Sequence, residues 1–261
     1  MWLRTTMNFQ YRHGTTTRQA LRKLYADGGV RRFYRGLAPA LFQGPLSRFG
    51  DTAANAGMIA LLDHYDTTRD LPVAAKTAAA STAAAAWRIA LMPIDTLKTT
   101  LQVEGAKGMT ILGAKMRASG PSVLYHGALG AFAATWVGHF PWFFTYNYLD
   151  TTIPQFDSLA AKLGRNAGIG FVASCVSDTA SNSIRVLKTY RQTSEVKVSY
   201  AEAARTIIAK DGVAGLFGRG LQTRLMANGL QGAMFSMGWK YFQMQYADME
   251  KQAAKRDSGS A

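Results

Sequence analysis

The chemistry-bearing residues of this chain come as a spaced set. In Pro93-Ile94-Asp95-Thr96-Leu97-Lys98-Thr99-Thr100-Leu101-Gln102, counting Pro93 as zero, an acid stands at plus two, a base at plus five and an amide at plus nine. Ser183, Arg185, Lys188 and Gln192 fill the same positions further on, and Arg4, Thr5 and Asn8 fill plus five, plus six and plus nine near the start. The three bases lie 94 and 90 residues apart, so the set is a repeat. Opposite charges three residues apart share a helix face and can pair with each other or with a neighbour. That is the chemistry of pairing between neighbouring helices. No carboxylate pair, Ser-His-Asp set, phosphate loop or metal-ligand cluster accompanies it, so neither an enzyme nor a catalytic cofactor is expected. Cys175 is the sole cysteine, which excludes an intramolecular disulfide and a cysteine-based zinc site.

A second marker follows each copy of the first. "GGVRRFYRG", "SGPSVLYHG" and "DGVAGLFGRG" end at Gly36, Gly127 and Gly220, which are 91 and 93 residues apart. A short helix precedes each marker. Thr16 with Gln19, and Ser199 with Glu202, read as capping boxes that satisfy free amides at a helix start, whereas the middle copy near "MTILGAKMRAS" lacks one. The chain therefore divides into units over 1–70, 71–158 and 159–261, the last with a polar tail. Long helices are expected at about 37–64, 71–103, 128–150, 160–192 and 220–247, each reaching the roughly 20 residues needed to span a bilayer.

Composition agrees with such a bundle only if its centre is wet. The 261 residues are 48% hydrophobic with a mean hydropathy of −0.06, and 30 basic against 16 acidic residues give a net charge of +14. Stretches such as "TAAASTAAAAWRIALM" and the pair Gly164 and Gly168 let helices approach closely in lipid. Arg88, Asp178 and Arg185 interrupt membrane-like helices, and such charges face a bundle interior or a water-filled cavity. The first 25 residues are rich in Arg and Thr and poor in acid, as a transit peptide would be, but they align with the repeats. Residues 1–36 hold eight basic side chains against Asp27 alone. Beside membrane helices this reads as a face for anionic lipid, and no nucleic-acid partner is expected.

The pattern resembles the mitochondrial carrier family from Arg4 to about Gln245. Its units of about a hundred residues carry Pro-x-[Asp/Glu]-x-x-[Lys/Arg], then a Gly and an aromatic-[Lys/Arg]-Gly. The resemblance implies an all-α membrane protein of the inner mitochondrial membrane. Its architecture would be a three-fold pseudosymmetric bundle with short helices on the matrix side, one per repeat. In that family the proline bends a helix inward, the acid and base bridge neighbouring repeats to close the matrix side, and the amide braces the bridge. Here those roles would fall to Pro93, Asp95, Lys98, Gln102, Lys188, Gln192 and Arg4, with Arg185 in an acid's place. It also implies bound cardiolipin at the glycine turns, at Arg35 and Gly36, Gly127, and Arg219 and Gly220.

Departures from the pattern shape the functional expectation. Met1 stands at the acidic position of the first motif, so five transmembrane helices are expected where the family has six. Only Asp95 to Lys188 can form a bridge between repeats, and Arg185 should face Arg4. The opposite gate retains no acid followed by a base, its positions being Asn55 and Met58, Asn147 and Asp150, and Lys240 and Gln243. The substrate-contact positions, Phe42 and Gln43, Ala134 and Thr135, and Ala227 and Asn228, hold no cation, which argues against nucleotides and di- or tricarboxylates. Arg88 and Asp178 sit five before Pro93 and Ser183. They would either bind an amino-acid-like solute, with His139 nearby, or pair with each other. Taken together, these features favour a non-transporting accessory subunit with protein partners in a larger inner-membrane assembly, such as a respiratory one. The alternative is an active carrier of a small amino-acid-like or carboxylate solute.

Overall fold

A computed structural model of the protein describes residues 1–156, 158–231 and 234, which form helices joined by short turns, with no strand among them. In chain order the helices are α1 (Trp2–His13), α2 (Thr17–Arg32), α3 (Leu37–His64), α4 (Asp66–Arg69), α5 (Val73–Ala90), α6 (Met92–Glu104), α7 (Gly108–Ser119), α8 (Ala128–Thr152), α9 (Leu159–Thr193) and α10 (Tyr200–Gly218). Residues 221–231 form α11. The later part of the expected 220–247 helix, the gate positions Lys240 and Gln243, and the polar tail lie outside the described residues.

Proline decides where the second repeat breaks. The helix expected over 71–103 is two helices, separated at Leu91 with φ −83° and ψ −3°. Pro93 has no amide to donate to the carbonyl of Ile89, and its ring crowds that turn. Ser183 keeps its amide in the equivalent place, and α9 runs unbroken for 35 residues. Both capping boxes form. The amide of Gln19 donates to Thr16 Oγ1 at 3.3 Å and that of Glu202 to Ser199 Oγ at 3.1 Å. In the middle repeat α7 starts without a side-chain cap, as its sequence implies.

The marker glycines seat each turn on the motif helix of another repeat. A Cβ at Gly36 would lie 2.9 Å from the Lys98 carbonyl oxygen, one at Gly127 would lie 2.7 Å from Gln192 Cγ, and one at Gly220 would lie 2.7 Å from the Tyr11 ring. Gly36 also has φ +81°, a left-handed conformation that costs any other residue extra strain. These contacts run from the first repeat to the second, from the second to the third and from the third back to the first. Helices α1, α6 and α9 consequently touch one another pairwise, while α3 on α5, α5 on α8 and α8 on α9 continue the wall. Where α5 meets its neighbours, buried Ala80, Ala84 and Ala85 allow the close approach.

Length and apolarity part company in this wall. Helices α3, α8 and α9 have 28, 25 and 35 residues. No helix among the described residues is long and apolar enough to cross a membrane. The polar interruptions are not scattered, because Gln43, Ser47 and Asp51 recur at every fourth residue of α3 and line one internal cavity.

The end of α1 carries a titration that should be visible in stability. His13, beyond the charged motif, packs against Phe9 in a tilted arrangement with ring centroids 4.3 Å apart. Burial, and then the Arg12 charge, pushes its imidazole from an ordinary 6.5 down to about 4. The folded protein therefore keeps His13 neutral while the unfolded chain takes up a proton below 6.5, so His13 costs stability as pH falls from 6.5 towards 4 and no further below it. In thermal melts over that window, the His13→Gln variant is expected to lose less than the parent. Parallel curves for the two proteins would contradict this assignment.

Candidate functional site

Helices α1, α3, α5, α6, α8, α9 and α11 enclose a cavity of about 1190 Å³. Its floor is the charged motif. Asp95 Oδ1 takes Lys98 at 2.7 Å and Oδ2 takes Lys188 at 2.6 Å, with the three side chains only 11%, 16% and 18% exposed. Gln192 donates to the same carboxylate at 3.5 Å and to Thr96 Oγ1 at 3.1 Å, which ties α9 to both ends of the bridge. Lys98 also donates to Gln43 Oε1 at 3.1 Å, which ties α6 to α3. Between α1 and α6 no ion pair forms among the described residues; the Asn8 amide donates to Gln102 Oε1 instead.

The walls rule out one of the two alternatives for Arg88 and Asp178, that they pair with each other. Arg88 pairs with Asp51 of α3 at 2.6 Å and donates to Ser47, while Asp178 pairs with Arg224 of α11 at 2.7 Å and accepts from Asn228. Each charge has an opposite charge on the adjacent helix, and Coulomb attraction at contact outweighs attraction across a wide, wet cavity. His139 Nδ1 hydrogen-bonds Ser81 Oγ at 2.8 Å, and Thr135 bonds back to the Ala131 carbonyl at 2.9 Å.

No cation stands at the three substrate-contact pairs, yet the cavity around them is rich in cations. Seven Lys and Arg side chains line the cavity against three Asp, an excess of four positive charges. The three contact pairs considered in the sequence omit Arg48 and Arg224, which reach the same space from neighbouring turns of α3 and α11. Periodicity held the missing signal. Gln43, Ser47 and Asp51, like Arg224 and Asn228, are four residues apart and therefore share a face.

Farther along the walls, consecutive helices are clasped by Lys76 with Asp63 at 2.5 Å and by Arg165 with Asp150 at 2.6 Å. Asp150 thus finds its base on α9, outside its own motif. At the glycine turns Tyr34 and Arg35 are exposed and Gly36 opens α3 without a side-chain cap. Gly127 likewise opens α8 uncapped. Arg219 is buried, its guanidinium held by Asp211 at 2.6 Å and by the Tyr11 carbonyl at 3.3 Å. The guanidinium expected to meet a lipid anion is therefore turned inward, and Gly220 beside it is buried as well.

The family model described as mitochondrial carrier protein matches residues 69–156 and 160–250. This chain belongs to the mitochondrial carrier family. Proteins of this family sit in the mitochondrial inner membrane and are transporters. No curated protein matches the chain. In this chain the two matched blocks contain the Pro93 motif and its Ser183 counterpart, so they supply Asp95 and Lys188, the ion pair that joins α6 to α9.

Proposed function

We propose that this protein is an inner-membrane solute carrier, a three-fold bundle whose α3, α5 with α6, α8, α9 and the helix beginning at residue 221 span the bilayer. In this reading α2, α7 and α10 lie on the matrix side, where the Asp95 floor is closed, and the cavity mouth faces the other way. The observation that carries the reading is the cavity itself, about 1190 Å³ and lined by ten Lys, Arg and Asp side chains. A bundle that only props up an assembly gains nothing from so much polar surface at its centre, since each charge held away from bulk water costs free energy. Cardiolipin would dock at the exposed Tyr34 and Arg35 and at the free amides that open α3 and α8.

A second reading, a non-transporting accessory subunit, draws on a different observation. Just one ion pair, Asp95 with Lys188, joins motif helices of different repeats among the described residues. A switch needs two closed states of similar energy, and a single bridge offers little to trade between them.

Reconstitution separates the readings. Purified protein in cardiolipin-containing liposomes is expected to exchange a labelled solute from a panel of amino acids, carboxylates and phosphates. Arg88→Ala, which strands Asp51, is expected to cut that exchange by about tenfold or more. Absence of exchange across the panel, together with migration of the native protein in a particle of several hundred kilodaltons, would sink the transport reading and favour the accessory one.

A further inference from the structure

Polar ties divide the wall unevenly. Helices α3 and α5 are joined by Arg88 with Asp51 at 2.6 Å, by Lys76 with Asp63 at 2.5 Å and by the Trp87 indole, which donates to the Leu46 carbonyl at 3.0 Å. Between α8 and α9, Arg165 takes Asp150 at 2.6 Å with its own side chain 1% exposed. The same guanidinium answers the carbonyls of Asp150 at 2.5 Å and Ile153 at 2.7 Å, which the end of α8 leaves without helical partners. Nearer the floor, Trp142 donates to Ser174 Oγ at 3.3 Å and Ser177 to the Gly138 carbonyl at 2.7 Å. Between α5 and α8 no ion pair forms among the described residues. Ser81 and His139 share a hydrogen bond there, and Ser81 and Ala85, one turn apart on that face of α5, are small and buried.

We propose that the wall moves as two stapled hairpins, α3 with α5 and α8 with α9, and that the mouth opens and closes along the α5–α8 seam, the mouth being the end assigned in the solute-cavity reading on which this rests. Parting a hairpin strands charges held away from bulk water, which is costly. Sliding α5 past α8 exchanges small side chains and an imidazole–hydroxyl contact, and packed helices shear in that way. Lys76 with Asp63 would be a weak tie alone, because Asp63 is 51% exposed. Arg88 on the same seam, and the bond from Lys76 to the Arg69 carbonyl at 2.6 Å, make it one of a set. The staples join different repeats, the first to the second and the second to the third, whereas the seam lies inside the second. At the mouth, the moving units are therefore not the repeats.

The test uses the full chain in lipid nanodiscs, with Cys175→Ser and nitroxide pairs whose separations are read by pulsed electron resonance. Exposed positions carry the labels. Leu61→Cys with Thr82→Cys spans α3 and α5, Thr151→Cys with Val172→Cys spans α8 and α9, and Thr82→Cys with Thr151→Cys spans the seam. The expected result is one narrow distance within each hairpin, and a seam distribution at least about twice as wide or split in two. Arg165→Met is expected to widen the distance between 151 and 172 while leaving that between 61 and 82 unchanged. If Arg165→Met does not fold, the milder Asp150→Asn, which keeps the carbonyl bonds, is read for the same widening.

Equal widths at all three pairs, or an unchanged distance between 151 and 172 in a folded staple variant, overturns the inference. These readouts need no solute. Proteoliposomes that take up a solute while the widths are equal would remove the hairpins and leave the transport reading intact. The expected widths without uptake would support the hairpins while removing transport.

Discussion

Asp95→Asn is expected to be among the most damaging single changes in this protein, costing about 3–5 kcal/mol. Asp95 sits between two lysines at 2.7 and 2.6 Å, and all three side chains are less than one-fifth exposed. An amide keeps the shape of the carboxylate but not its charge. Two ammonium groups would then face each other in a site too dry to screen them. For a chain of this size the loss corresponds to a fall in melting midpoint of roughly 10 °C, taking about 2–4 °C per kcal/mol. Pairing Asp95→Asn with Lys188→Met removes one of the stranded cations, and the double variant is expected to regain a large part of the loss. If Asp95→Asn melts within about 2 °C of the parent, the floor is not held by this ion pair.

Arg32→Ala should have a comparable effect through a different mechanism. Arg32 is 3% exposed, and its guanidinium donates to the carbonyls of Gln102 at 2.9 Å and Val103 at 2.6 Å. Those carbonyls belong to the last turn of α6, which has no helical partner for them. A cation there also answers the negative end of the helix dipole. Alanine would leave two buried carbonyls unbonded, at about 1–3 kcal/mol each, so a total of about 3–4 kcal/mol is expected. The ion pair with Asp27 adds little, because that carboxylate is 60% exposed. Arg32→Lys can satisfy one carbonyl but not both, so its melt should fall between the parent and the alanine variant. Equal melts for lysine and alanine would point to lost charge, not lost capping.

The sequence made the repeats legible because their markers obey backbone chemistry. Pro93 breaks a helix, Thr16 and Ser199 start helices, and Gly36 permits close approach, all without reference to distant parts of the chain. The bridge of Asp95 to Lys188 with Gln192 as its brace was legible too, since motif positions repeat with the helices that carry them. Partners that belong to no motif were not. Asp51 and Arg224 claim Arg88 and Asp178 because they lie on adjacent helices, and only packing reveals which helices are adjacent. Arg32 was read as part of a basic lipid-facing surface. Its burial depends on how α2 packs against the end of α6, a tertiary fact that local charge density conceals. Arg48 and Arg224 escape the motif positions because three short contact pairs stand in for a whole helix face.

The contrast between a broken second repeat and an unbroken third has a mechanical consequence. Helix α9, with 35 residues, is a strut of about 52 Å. A strut without a joint cannot fold at its middle; a displacement at one end reappears at the other as tilt. At Leu91 the second repeat does have a break, the place where bending would cost least. An iris closes by the equal bending of identical blades, and this molecule lacks identical blades. Its motion should resemble a rocker, with α6 swinging against a stiff α9 and the shared carboxylate of Asp95 as the fulcrum.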